Sequence, residues 1–86
     1  MKPTLTTAEK RIYGFGFRCV YQHDHIAQYE RGGAHVVELQ WRPNGKHVML
    51  SYNKNLFDTK GTGNSCIGLT YGEVIAFAER MKELWG

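Results

Sequence analysis

A chain of 86 residues with 11 Lys/Arg, 8 Asp/Glu and a formal charge of +3 holds enough material for one sheet with a helix on it and too little for two separate cores. Its hydrophobic content of 42% and aromatic content of 13% are those of a globular chain and argue against an intrinsically disordered one. No apolar run approaches the length of a membrane span, and the opening MKPTLTTAEKR lacks the apolar middle of a secretory leader.

The expectation is a single α+β domain over residues 1–86, cytoplasmic, without membrane attachment. Cys19 and Cys66 are far apart and form no CxxC, so reduced thiols are expected ahead of a disulfide framework. Residues 1–60 hold nine Lys/Arg against five Asp/Glu, while residues 61–86 hold two against three. This bias permits nucleic acid or an acidic protein surface as partner, but falls short of a dense basic stripe.

Thr6-Thr7-Ala8-Glu9 has the spacing of a capping box, in which Thr6 accepts from the Glu9 amide and Glu9 reaches back to the Thr6 amide. A short helix starts there and ends at Gly14 and Gly16. Phe15 to Tyr21 alternates so that Phe15, Phe17, Cys19 and Tyr21 share one side of a strand. After His23-Asp24-His25, the run Ile26 to Glu30 reads as a more polar strand, at a sheet edge or as the second arm of a meander.

Ala34 to Tyr52 places two alternating runs around Pro43-Asn44-Gly45, the strongest short-range hairpin signal. Two registers compete. A two-residue Asn44-Gly45 turn pairs Trp41 with Val48, Leu39 with Leu50 and Val37 with Tyr52, making one face wholly apolar. A type I turn with Pro43 second and Gly45 left-handed pairs Gln40 with Val48 and Glu38 with Leu50 instead. Misplacing Val48 and Leu50 forfeits ~1.5–3 kcal/mol each, against ~1 kcal/mol for the hydrogen bond that Pro43 cannot donate. The first register is therefore expected.

Asn53 to Gly68 is polar and glycine-rich, a long loop of the kind that tends to carry function. Thr70 and Glu73 form a second capping box with Leu69 and Val74 at hydrophobic-staple positions. Val74, Phe77, Ala78, Met81, Leu84 and Trp85 then recur at helical spacing, with Glu79, Arg80, Lys82 and Glu83 on the wet side. The fold class is α+β: an antiparallel three- or four-stranded sheet, a long C-terminal helix packed on one face and a short N-terminal helix.

Several stretches carry partial chemical signals. Gly14-Phe15-Gly16-Phe17 resembles the ribonucleoprotein motif of RNA-recognition and cold-shock domains, which implies strand aromatics that stack on bases; Tyr13 stands where that motif has a basic residue. His23-x-His25 offers two metal ligands with His35, His47 or a cysteine as a third, though no CxxC or helical histidine pair supports it. Gly61-Thr62-Gly63-Asn64-Ser65 resembles a phosphate loop with Asn64 in place of the lysine. Cys19 or Cys66 with a histidine has the composition of a nucleophile and base.

His35 after Gly33-Ala34 resembles the Gly-x-His that enters a hairpin in HicA-type toxins, which implies a small ribonuclease with an α-β-β-β-α order. His35 also falls on the apolar side with Val37 and Leu39, where a satisfied structural histidine is the common state. In size, mild basicity and lack of a chemical constellation the chain is similar to the anti-CRISPR inhibitors of phages and mobile elements. That likeness implies a non-enzymatic binding module acting on a protein or nucleoprotein partner by surface complementarity, with no cofactor and no metal. Direct nucleic-acid binding or cleavage through the basic sheet half is the alternative. In the register chosen, the open hairpin face and its turn present Arg42, Gln40, His47, Met49, Asn44 and Lys46 as the partner-binding set, with Lys54, Lys60 and Asn64 as a secondary loop set.

Overall fold

The computed structural model describes residues 4–55 and 66–86. The order is α1 (Thr7–Gly14), β1 (Arg18–His23), β2 (Ile26–Arg31), β3 (His35–Gln40), β4 (Val48–Asn53) and α2 (Tyr71–Trp85). The four strands form one antiparallel meander in sequence order. Ile12 of α1 and Ala76 and Phe77 of α2 share a core with Phe17, Ala27, Tyr29, Val37 and Leu39, so both helices lie on the same side of the sheet. This is the expected α+β two-layer arrangement. β2 is an inner strand, the second arm of the meander.

Both helices start as the sequence predicts. The Thr6 hydroxyl accepts from the Glu9 amide at 3.2 Å and the Glu9 carboxylate from the Thr6 amide at 2.9 Å. Thr70 and Glu73 repeat the exchange at 3.2 and 2.8 Å. Each box satisfies donors that the first helical turn leaves without intrahelical partners.

The hairpin register differs from the expected one. Gln40 pairs with Val48, Leu39 with Met49, Glu38 with Leu50 and Val37 with Ser51. The Gly45 amide donates to the Arg42 carbonyl at 3.0 Å and Gly45 has φ +77°, which is the type I turn with a left-handed glycine. The burial comparison fails because Met49 takes the core-side place opposite Leu39 that the other register gives to Leu50. Val36, on the face away from the helices, is 5% exposed, and Tyr52 opposite it is half-buried. The helix-side space is filled by Phe17, Tyr29 and Phe77, whose rings meet edge-on or tilted at 5.1 to 5.5 Å. An apolar side chain stands opposite Leu39 in either register, so the local preference of Pro-Asn-Gly decides. Met49 consequently packs on the core side, and Leu50 and Tyr52 face away from the helices.

β1 departs from strict alternation as well. Cys19 pairs with Tyr29, yet Tyr21 pairs with Gln28, with a bulge between them. The extra residue turns Tyr21 to the outer face, where it is 50% exposed. Phe15 is the C-cap residue of α1 and is also exposed.

The buried stripe of α2 is rotated from the expected one. Glu73, Ala76, Phe77 and Arg80 are buried, while Val74 is exposed. Arg80, expected on the wet side, donates from Nε to the Tyr29 hydroxyl at 2.9 Å and from a terminal nitrogen to Glu83 at 3.1 Å. Its other terminal nitrogen lies 3.4 Å from Gln22 Oε1 and 3.6 Å from a Glu9 carboxylate oxygen. One guanidinium thus ties α2 to β1, β2 and α1. Glu83 in turn accepts from the Thr6 hydroxyl at 2.5 Å and the Ala8 amide at 3.3 Å, joining the two helices a second time.

Burial alone would raise the carboxyls of Glu73 and Glu83. Hydrogen bonds from Thr70 and Arg31 to the first, and from Thr6, Ala8 and Arg80 to the second, outweigh it and hold both below the usual range. A depressed carboxylate adds stability above its unfolded value and loses it as pH falls through the folded value. Denaturant titrations should therefore show stability falling steeply below about pH 4.3, and Glu73→Gln should flatten that limb while lowering stability at neutral pH; an unchanged acid limb would contradict the pairing.

Core substitutions test the packing. Phe77, fully buried, should cost ~3–5 kcal/mol on change to Ala. Tyr29→Phe removes an acceptor from a buried guanidinium and should cost ~1–3 kcal/mol. Thermal melts read both, at roughly 4–8 °C per kcal/mol for a domain of this size.

Candidate binding groove

The strand ends set the geometry of a groove at one end of the two layers. Beyond β3, the Trp41 amide donates to the His25 carbonyl at 2.9 Å, prolonging the β2–β3 pairing, and the Trp41 indole stacks on the His25 ring at 4.5 Å and 20°. At the end of α2, the Trp85 indole N–H donates to the Asp24 carbonyl at 2.8 Å. His47 lies between the two tryptophans, 6.4 Å from Trp41 and 5.3 Å from Trp85.

The 41–47 loop that carries these groups is built by its own side chains. The Lys46 amide donates to Asn44 Oδ1 at 2.9 Å and the Arg42 amide to His47 Nδ1 at 3.0 Å. The second bond places the neutral His47 proton on Nε2. The Arg42 guanidinium donates to Gln40 Oε1 at 2.5 Å and to the Trp41 carbonyl at 3.1 Å. Between this loop and α2 lies an open groove of about 510 Å³, within the size range of binding pockets. Trp41, His47 and Trp85 give it aromatic surface, Ala78 and Met81 aliphatic surface, and Arg42, Lys46 and Lys82 positive charge. No carboxylate side chain lines it among the described residues.

Of the six residues expected to bind a partner, Arg42, Lys46 and His47 line this groove and Asn44 shapes its turn. Gln40 holds Arg42 from the outer face of the sheet. Met49 is the exception, since the one-residue change of register turns it to the core. Lys54 pairs with Glu30 at 3.0 Å; Lys60 and Asn64, with the 61–65 phosphate-loop resemblance, lie outside the described residues. Sequence reasoning missed Trp41, Met81, Trp85 and Lys82. The first three read as core and the last as solvated surface. The available signal was that each tryptophan sits at the end of its element, where a residue that large cannot be wholly enclosed.

The outer face of the sheet is a second distinct surface. Glu38 at its centre accepts from Gln28 at 2.6 Å, from Tyr52 at 3.3 Å and from Gln40, with Val20, Tyr21 and Leu50 exposed around it. Burial and the neighbouring Glu38 push the Tyr52 phenol up.

The other chemical signals resolve into structural roles. Phe17 is fully buried, edge-on to His35 and Phe77, so it presents no face to a base, and the Arg31 guanidinium covers it at 4.2 Å. His23 pairs with Ile26 at a strand end and His25 stacks on Trp41. Among the described residues no group of three or more His, Cys, Asp or Glu could hold a metal ion. Both cysteines are free, Cys66 exposed and Cys19 half-buried. Burial pushes the Cys19 thiol up, away from the thiolate a nucleophile needs.

His35 has the contacts of a catalytic pair in the wrong sense. Its Nε2 lies 2.7 Å from Ser51 Oγ, while its Nδ1 lies 3.2 Å from a terminal nitrogen of Arg31, which also pairs with Glu73 at 2.5 Å. A guanidinium can only donate, so Nδ1 must accept, and the neutral ring carries its proton on Nε2, pointing at Ser51. A base for that hydroxyl needs its lone pair there. Burial first, then Arg31, hold the imidazole below its ordinary value. NMR titration should show His35 protonating below about pH 6.5, in the Nε2–H tautomer above it, and a shallow loss of stability as pH falls through that interval. An Nδ1–H tautomer would turn the Nε2 lone pair toward Ser51 and contradict this reading of the two contacts.

The fold and the groove together define a small two-layer α+β protein with a basic, aromatic-walled cleft. No family model matches the chain, and neither the curated proteins nor the solved structures contain a match. Among the described residues no helix is long and apolar enough to cross a membrane.

Proposed function

We propose that this chain is a small non-enzymatic binding module that engages a protein or nucleoprotein partner by surface complementarity, as an inhibitor or adaptor, through the groove between the 41–47 loop and α2. The observation that carries this reading is the composition of that groove. Two tryptophans, a methionine and an arginine are the residue types that dominate interface energetics, and here they sit on a pre-organised scaffold. The arginine is held in place by Gln40 and the Trp41 carbonyl, which reduces the entropy lost on binding. The burial of His35, which is 8% exposed, speaks against the ribonuclease alternative, because its ring offers little surface to an RNA hydroxyl. Nucleic-acid binding keeps support from the same aromatic and cationic lining, because single strands bind by stacking and phosphate contact.

The test is charge reversal on the loop. Arg42→Glu combined with Lys46→Glu should leave the melting temperature nearly unchanged, both side chains being exposed, and should weaken the purified partner's binding roughly tenfold or more. A folded double variant with wild-type affinity would overturn the assignment. Affinity that collapses as salt rises, and capture that nuclease treatment abolishes, would move the reading to nucleic acid.

A further inference from the structure

We infer that the groove accepts an acidic segment of a partner protein carrying a large aliphatic or aromatic anchor residue; this rests on the binding-module reading and names what the module grips. Charge complementarity is the first support. Arg42 and Lys46 stand on the loop side and Lys82 on the helix side, with no carboxylate side chain lining the space between among the described residues. The acceptors holding Arg42 are a neutral amide and a carbonyl, so its charge has no acidic partner among the described residues, and a guanidinium retains further N–H donors for a carboxylate. The negative end of the α2 dipole amounts to about half an elementary charge, less than the three cationic side chains bring.

The second support is the apolar lining. Met81, Ala78 and the two indoles offer surface that an aliphatic or aromatic side chain would bury, whereas a row of carboxylates alone would leave it wet. A protein segment fits better than a nucleic acid strand. One face of Trp41 is already taken by His25, which halves the stacking surface. On the far side of Trp85 lies a smaller hollow lined in part by Asp24, an acidic residue unfavourable to a phosphate chain extended past Trp85. A short acidic segment needs no such track.

A random peptide library displayed on phage, selected on the immobilised full chain, tests this directly, followed by NMR titration with the synthetic peptides recovered. Enrichment of sequences with Asp or Glu flanking one large apolar residue is expected. These peptides should shift the Trp41 and Trp85 indole N–H signals, lose roughly tenfold or more in affinity with Lys82→Glu and less with Lys82→Gln, and bind Leu50→Ser on the outer face as they bind wild type. No enrichment, enrichment of basic or uncharged sequences, shifts confined to other surfaces, or tighter binding of oligo-dT would each overturn it. Should acidic peptides fail while Arg42→Glu and Lys46→Glu still release the partner, the ligand chemistry is wrong and the binding-module reading stands. Should neither matter, both fall.

Discussion

A single buried guanidinium organises this protein. Arg80 is 7% exposed and reaches the Tyr29 hydroxyl on β2, Gln22 on β1, Glu9 on α1 and Glu83 on its own helix. A charge taken this far out of water is tolerated only when its donors find partners, and deleting one partner of such a pair typically costs ~3–5 kcal/mol. Burial would lower the arginine's basicity, but its bonds to Tyr29 and Glu83 and the Glu9 charge outweigh that. The hub therefore stays charged, and its fixed donor geometry sets where α2 lies over the sheet.

A second clamp acts nearer the start of the same helix. Glu73 closes the capping box of α2 with one carboxylate oxygen and takes Arg31 of β2 with the other; Arg31 also approaches His35 and covers Phe17. With both positions pinned, the last turns of α2 hold Met81, Lys82 and Trp85 opposite the 41–47 loop. The groove is thus a consequence of polar contacts inside the fold. It exists because a helix held at two points runs on past the region where strands cover it.

Much of the fold was legible in the sequence, because its signals are local. Thr6/Glu9 and Thr70/Glu73 announce two helix starts, and alternation announces the strands. What escaped depends on tertiary competition. The register of Pro43-Asn44-Gly45 turned on which β4 side chain stands opposite Leu39, and Met49 serves there in place of Leu50. Arg80 counts as polar in any periodicity, so a stripe that buries it cannot be found by hydrophobic spacing. The bulge beside Val20, which turns Tyr21 outward, carries no residue signature either. The groove was half legible: Arg42, Lys46 and His47 follow from the turn, while Lys82 and Trp85 join them only through the packing of a distant helix.

The central claim is that α2 and the 41–47 loop face one another across this groove, and the ring contacts that define it are directly measurable. Two-dimensional NMR on the free protein should show nuclear Overhauser contacts between the Trp85 indole and the His47 ring, together with contacts between Trp41 and His25. If Trp41–His25 contacts appear while Trp85 shows none to His47 and none to Gln22, His23 or Asp24, the end of α2 lies elsewhere and there is no such groove.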